Sequence, residues 1–161
     1  NTGGWSGMDV DVCRAVAASL LAGDRDAVQF IEVSEEGFGA ALADEGQLDV
    51  GAGMMVTLQN DRNEDKGFSF SSPYFYSSTG DVFALSTRED DRQWSEFVFW
   101  TLNFLFYAEE VGTRRTQASS MPVINLFGPD LVRMARQAVL AVGNYGEVYE
   151  RNMASIEPRA G

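Results

Sequence analysis

Apolar and polar positions along this chain switch several times between a helical period and a strand-like one. Val12, Cys13, Val16, Ala17, Leu20 and Leu21 recur at the three- and four-residue spacing of a helix with one buried face. Asp9 or Asp11 opens that helix, because a short acid accepts hydrogen bonds from free backbone N–H groups, and Gly23 ends it. Residues 27–33 (AVQFIEV) alternate and are rich in β-branched side chains, which predicts a strand. Ser34 with Gly37 starts a second helix through Leu42, stopping near Gly46, and residues 48–52 read as a short buried strand. Strand and helix in alternation predict an α/β domain with a mostly parallel sheet flanked by helices.

Farther along, residues 61–66 fit one helical turn, and residues 68–76 an edge or irregular strand, since Pro73 cannot donate to a ladder. Residues 79–86 read as another strand. Residues 93–111 form a long helix with Trp94, Phe97, Phe99, Trp100, Phe104, Phe106 and Tyr107 nearly all round it, where a surface helix normally shows one apolar stripe. Residues 113–129, with Ser119, Ser120, Pro122, Gly128 and Pro129, read as a loop. Asp130 caps a helix over 131–142, Gly143 breaks it, and 146–153 is a last short helix.

The 161 residues suffice for one domain with a sizeable core. Their formal net charge of −12, from 24 acids and 12 bases, argues against nucleic acid and anionic membrane surfaces as partners. With no histidine, imidazole-based zinc sites and Ser-His or Cys-His catalysis are excluded. Cys13 is the only cysteine, so no intramolecular disulfide forms, and its apolar neighbours make it a buried small hydrophobe. No apolar run reaches the ~18 residues of a membrane span. No secretory signal is recognisable in the sequence. The adjacent acids Glu35–Glu36 and Glu109–Glu110 lie at helix ends and point apart, so neither pair is an acid/base dyad. No catalytic residue, metal site or cofactor is expected.

One stretch, residues 49–75, holds the candidate chemistry. In an open α/β sheet, ligands bind past the carboxyl ends of strands. Gly53 admits a close backbone approach, and the Arg62 guanidinium can grip a carboxylate with two parallel hydrogen bonds. The bland alternatives are a solvated Arg62 paired with Asp61, Glu64 or Asp65, and core filling by Met54 and Met55.

GAGMMVT (51–57), Arg62 and FSFSSPYFYSS (68–78) together resemble the ligand loop and hinge approach of periplasmic amino-acid-binding proteins of ABC transporters. GGWSGMDVDVCRAVAASL (3–20) and VGNYGEVYERN (142–152) resemble the general L-amino-acid-binding branch of that family. The resemblance implies a lobe of the periplasmic-binding-protein-like II fold, a periplasmic location with the signal peptide removed, and no enzymatic activity. It also implies an ABC permease as partner and a small-molecule amino acid as ligand, held by Gly53, Met55, Thr57 and Arg62, the arginine clamping the α-carboxylate. Met55 departs from the pattern, which has a small polar residue there; methionine donates no hydrogen bond. In the family a second lobe follows the strand at 79–86 and supplies the acid that holds the ligand's amino group. Here 88–92 leads directly into the aromatic helix.

Residues 1–161 are therefore expected to form a single, truncated lobe: βα units over 1–87, a linker at 88–92 in place of the second lobe, and C-terminal helices over 93–161. Half a cleft implies weak or lost binding. A few relatives of the fold are dehydratases, but their chemistry needs a closed, dry cleft that one lobe cannot make. The alternative function is a non-binding scaffold that self-associates. Unpaired edges of strand 79–86 and the apolar surface of Phe99, Trp100, Phe104 and Phe106 would form the contact, and the short linker points to a domain-swapped dimer. The opposing expectation is a monomer with the aromatic helix buried under 113–129.

Overall fold

The computed structural model describes residues 4–34, 37–44, 46–61 and 67–159. The chain divides into two compact units, Asn1–Gln29 with Thr101–Gly161, and Phe30–Trp100.

The first unit is helical. Helix α1, Met8–Leu20, starts at Gly7, whose φ of +126° suits glycine, and no side chain caps it. Val12, Val16 and Ala17 are buried as the periodicity predicts; Leu20 and Leu21, at the C-terminal end of the helix, are exposed. The expectation that Asp9 or Asp11 caps the helix is not met. Asp11 is instead 5% exposed, and its Oδ2 accepts from Arg151 Nη2 (2.6 Å), Arg151 Nε (3.1 Å) and Asn152 Nδ2 (2.7 Å). Cys13 keeps partial exposure, yet crowding by neighbouring atoms and then the Asp9 charge push its thiol up to about 12, so it is inert at neutral pH.

The helix expected over 131–142 starts later than the sequence pattern suggested. Pro129–Leu131 makes a tight 3-10 turn closed by Leu131 N–H on Gly128 O (3.2 Å), Arg133 rather than Asp130 takes the N-cap position, and the helix (labelled α4 in chain order) spans Met134–Val142. It packs against α1, where the Ser19 hydroxyl donates to Met134 O (3.1 Å). Gly143 breaks it as expected, at φ +93°, with its N–H on Val139 O. Helix α5, Tyr145–Asn152, opens with a reciprocal capping box: Glu147 N–H donates to Asn144 Oδ1 (2.9 Å) and Asn144 N–H to Glu147 Oε2 (3.0 Å). The loop expected over 113–129 contains a further 3-10 turn, Arg115–Ser120.

In the second unit a four-stranded sheet is built around one strand, β4 (Val82–Arg88). Strand β1 (Gly51–Met55) pairs with one of its sides; β2 (Phe68–Phe70) and β3 (Phe75–Tyr76) pair with the other. Every pair is antiparallel, so the expected parallel sheet is wrong. Two causes are visible. Residues 27–33 have strand composition but form no ladder. Only five residues, 77–81, join β3 to β4, and a link that short returns the chain antiparallel. That turn is fixed by Asp81 N–H on Ser77 Oγ (2.9 Å), Ser77 N–H on Asp81 O (2.9 Å) and Gly80 at φ +92°.

The same arrangement corrects a second expectation: the strand placed at 79–86 has no unpaired edge, because its actual span is flanked on both sides. The irregular strand at 68–76 is borne out, broken over 71–74 around Pro73. The second helix shrinks to Phe38–Gly39 and a π-turn, Ala40–Asp44, while Ser34 Oγ accepts Gly37 N–H (3.2 Å) at its start.

Helix α3 covers Arg92–Glu110, and only Glu89, Asp90 and Asp91 separate it from β4. Asp91 Oδ1 caps it by accepting Trp94 N–H (3.0 Å). Its residues up to Trp100 belong to the second unit and those from Thr101 to the first.

Candidate functional site

The candidate loop begins with a packing constraint at the start of β1. A Cβ on Gly51 would lie 1.9 Å from Phe38 Cζ and 2.8 Å from Ser86 Oγ, so only glycine fits beside that ring. Trp94 Nε1–H donates to Asp49 O (2.8 Å) and fixes the approach to the strand.

Between Gly51 and Met54 the register slips: β1 advances three residues, from partner Ser86 to partner Ala84, while β4 advances two. This bulge turns Gly53 to φ +74°, a conformation that favours glycine. Its N–H donates to Tyr74 Oη (2.8 Å), and Tyr74 itself is 1% exposed. After β1, Val56 N–H still reaches Val82 O (2.8 Å). Thr57 then opens a single helical turn, α2 (Leu58–Asp61), as its Oγ1 accepts Asn60 N–H (3.1 Å) and its carbonyl accepts Asp61 N–H (3.0 Å). Asn60 Nδ2 reaches back to Met55 O (2.7 Å).

Gly53, Met55 and Thr57 therefore belong to one continuous bulge and turn, while Arg62 lies outside the described residues. Gly53 is exposed, Met55 and Thr57 half-buried. The Thr57 hydroxyl, used as an acceptor by Asn60, retains a proton to donate; the Met55 thioether offers only a weak acceptor. Two residues that sequence reasoning passed over hold this loop. Tyr74 sits in the SSPYF run already singled out, and Asn60 lies three residues after Thr57, the spacing of a side-chain turn.

The four aromatic residues proposed for a self-contact differ in exposure. Phe104 is buried, Phe99 and Phe106 are half-buried, and Trp100 is 48% exposed. Phe99 meets Trp100 edge-on at 5.4 Å, and Phe106 meets Tyr145 edge-on at 4.6 Å. Among the described residues no group of three or more Cys, Asp or Glu side chains is placed to hold a metal ion, and no helix is long and apolar enough to cross a membrane.

No known family model matches the chain. Over 92 aligned residues it is 33% identical to the general L-amino acid-binding periplasmic protein AapJ of Rhizobium johnstonii, covering 45% of this chain and 26% of that protein. The chain thus spans about a quarter of the length of this curated relative. Among solved structures, an ABC transporter / periplasmic binding protein from Brucella ovis with glutathione bound matches at a TM-score of 0.74 and 20% identity, over 99% of this chain and 85% of that one. At that identity the likeness is one of fold. By sequence over part of its length the chain is similar to a periplasmic amino-acid-binding protein, and by fold over nearly all of it to a periplasmic binding protein of an ABC transporter.

Proposed function

We propose that this chain is a single-lobe solute-binding protein of the amino-acid type, periplasmic and non-enzymatic, with weak or lost ligand binding. The observation that carries the reading is the glycine-centred bulge at Gly53 followed by the Thr57 turn, within the stretch that resembles the family's ligand loop. The ligand class is an α-amino acid, or a small peptide like the glutathione of the structural relative. Its carboxylate would meet Arg62, and an ABC permease would be the partner. Weakness follows from two features. Three residues, Glu89 to Asp91, stand between β4 and α3, where the resembling proteins insert a second lobe. Met55 also replaces a hydrogen-bonding residue.

Titration calorimetry with the twenty L-amino acids and glutathione tests this. A millimolar response is expected for at least one, weakened about tenfold or more in Arg62→Ala, since a bidentate charge-assisted pair is lost. A flat panel overturns the binding function.

A second reading, a scaffold that self-associates through α3 and exchanges segments across the short 89–91 link, is favoured by two exposed aromatics. Trp100 (48% exposed) and Tyr107 (45%) are seven residues apart and share one helix face. Light scattering after size exclusion should then give twice the chain mass, reverting to one in Trp100→Glu. A single-chain mass at every micromolar concentration rules this reading out.

A further inference from the structure

We propose that Tyr74 and Asn60 are positioning residues that hold residues 53–57 in their ligand-receiving shape without touching the ligand, an inference that rests on the ligand-binding reading above. The bulge leaves Gly53 at φ +74° with its N–H turned out of the ladder. The Tyr74 hydroxyl accepts that N–H at 2.8 Å, and this bond ties the bulge to a buried side chain in one conformation.

The hydroxyl has little freedom of its own. Tyr74 is 1% exposed, and its backbone N–H is bonded to Phe83 O (3.0 Å) on β4. The residue is therefore tied to the central strand by its backbone and reaches the strand on the other side by its side chain. Asn60 makes the matching tie at the far end of the loop, with its backbone N–H on Thr57 Oγ1 and its amide on Met55 O. One clamp fixes the entry to the loop and the other its exit. A loop already held in its bound shape loses less conformational entropy on binding, which is how two residues remote from the ligand raise affinity.

The test uses Tyr74→Phe, which keeps the buried ring and removes only the oxygen, and Asn60→Ala as an independent second variant. Hydrogen exchange followed by NMR reads the amide of Gly53, with the amides of Ser71 and residue 74, bonded to Leu85 O and Phe83 O, as controls on the sheet. In Tyr74→Phe the Gly53 amide should exchange roughly three- to tenfold faster while the controls hold, the loss of one hydrogen bond of ordinary net strength. Any amino acid that binds the parent should bind each variant roughly three- to tenfold more weakly, with a similar melting temperature. Unchanged exchange at Gly53, or equal acceleration at Gly53 and both controls, overturns the clamp. A freed Gly53 amide with unchanged affinity overturns its role in binding. If the parent binds no amino acid of the panel, the ligand-loop reading falls and the positioning role with it, while the exchange arm still reports separately whether the clamp exists.

Discussion

Val16→Asp is expected to abolish the folded state of the helical unit. Val16 is 5% exposed on the face of α1 that packs against α4, and Ser19, one turn farther on, bonds α4 directly. The substitution gives up the transfer free energy of a buried valine, roughly 1.5–3 kcal/mol. It also places a carboxylate where water cannot reach it, at several kcal/mol more. The sum rivals the roughly 5–15 kcal/mol that stabilises an ordinary domain. A carboxyl in such a site has its pKa raised in the folded state, so the penalty is largest above that raised value and shrinks as pH falls through it. Circular-dichroism melts at neutral pH decide the matter: loss of the cooperative transition in Val16→Asp, against a shift of only a few degrees in Leu140→Asp, which alters an exposed position of α4. A Val16→Asp chain that melts like its parent would mean that another face of α1 is buried.

Arg151→Met should cost roughly 2–3 kcal/mol in urea unfolding. Asp11 is buried and its Oδ2 carries three donors, two of them from Arg151. Without the guanidinium the carboxylate keeps Asn152, and Arg14 at 4.0 Å from its other oxygen. Removing one partner of a fully buried pair costs about 3–5 kcal/mol; the Arg151 side chain is 45% exposed, so water partly replaces it and the expected cost falls to the bottom of that range or just below it. Pairing the change with Asp11→Asn, which removes the stranded charge, should recover part of the loss. A cost below about 0.5 kcal/mol, the level of an ordinary surface substitution, would show that the pair is not structural.

The Asp11 network also marks what the sequence could not convey. A short acid near a helix start fits an N-cap and fits a buried ion pair equally well, and the deciding partner is 140 residues away. The buried stripe of α1, the break at Gly143 and the interruption at Pro73 were legible because each depends on residues within a turn or two. Sheet direction was not. Alternation tells which face of a strand is covered, not which strand lies beside it, and the strand-like composition of 27–33 has no ladder to join. In the candidate loop, Gly53, Met55 and Thr57 were singled out from a run of contiguous residues. Tyr74 was missed as a holder of that loop because its bond to Gly53 spans 21 positions and involves a side chain that reads, in sequence, as ordinary core.

The central place of β4 settles how this sheet meets its surroundings. With both sides of β4 occupied, the outer strands among the described residues are β1 on one side and β2 with β3 on the other. The first rim is kinked by the Gly53 bulge, and the second is cut in two at Pro73, with pieces three and two residues long. Neither offers the long, flat row of backbone groups on which a foreign strand can template, and the net charge of −12 opposes indiscriminate association. A sheet with such margins stops at its own last strand and gives fibril growth no seed.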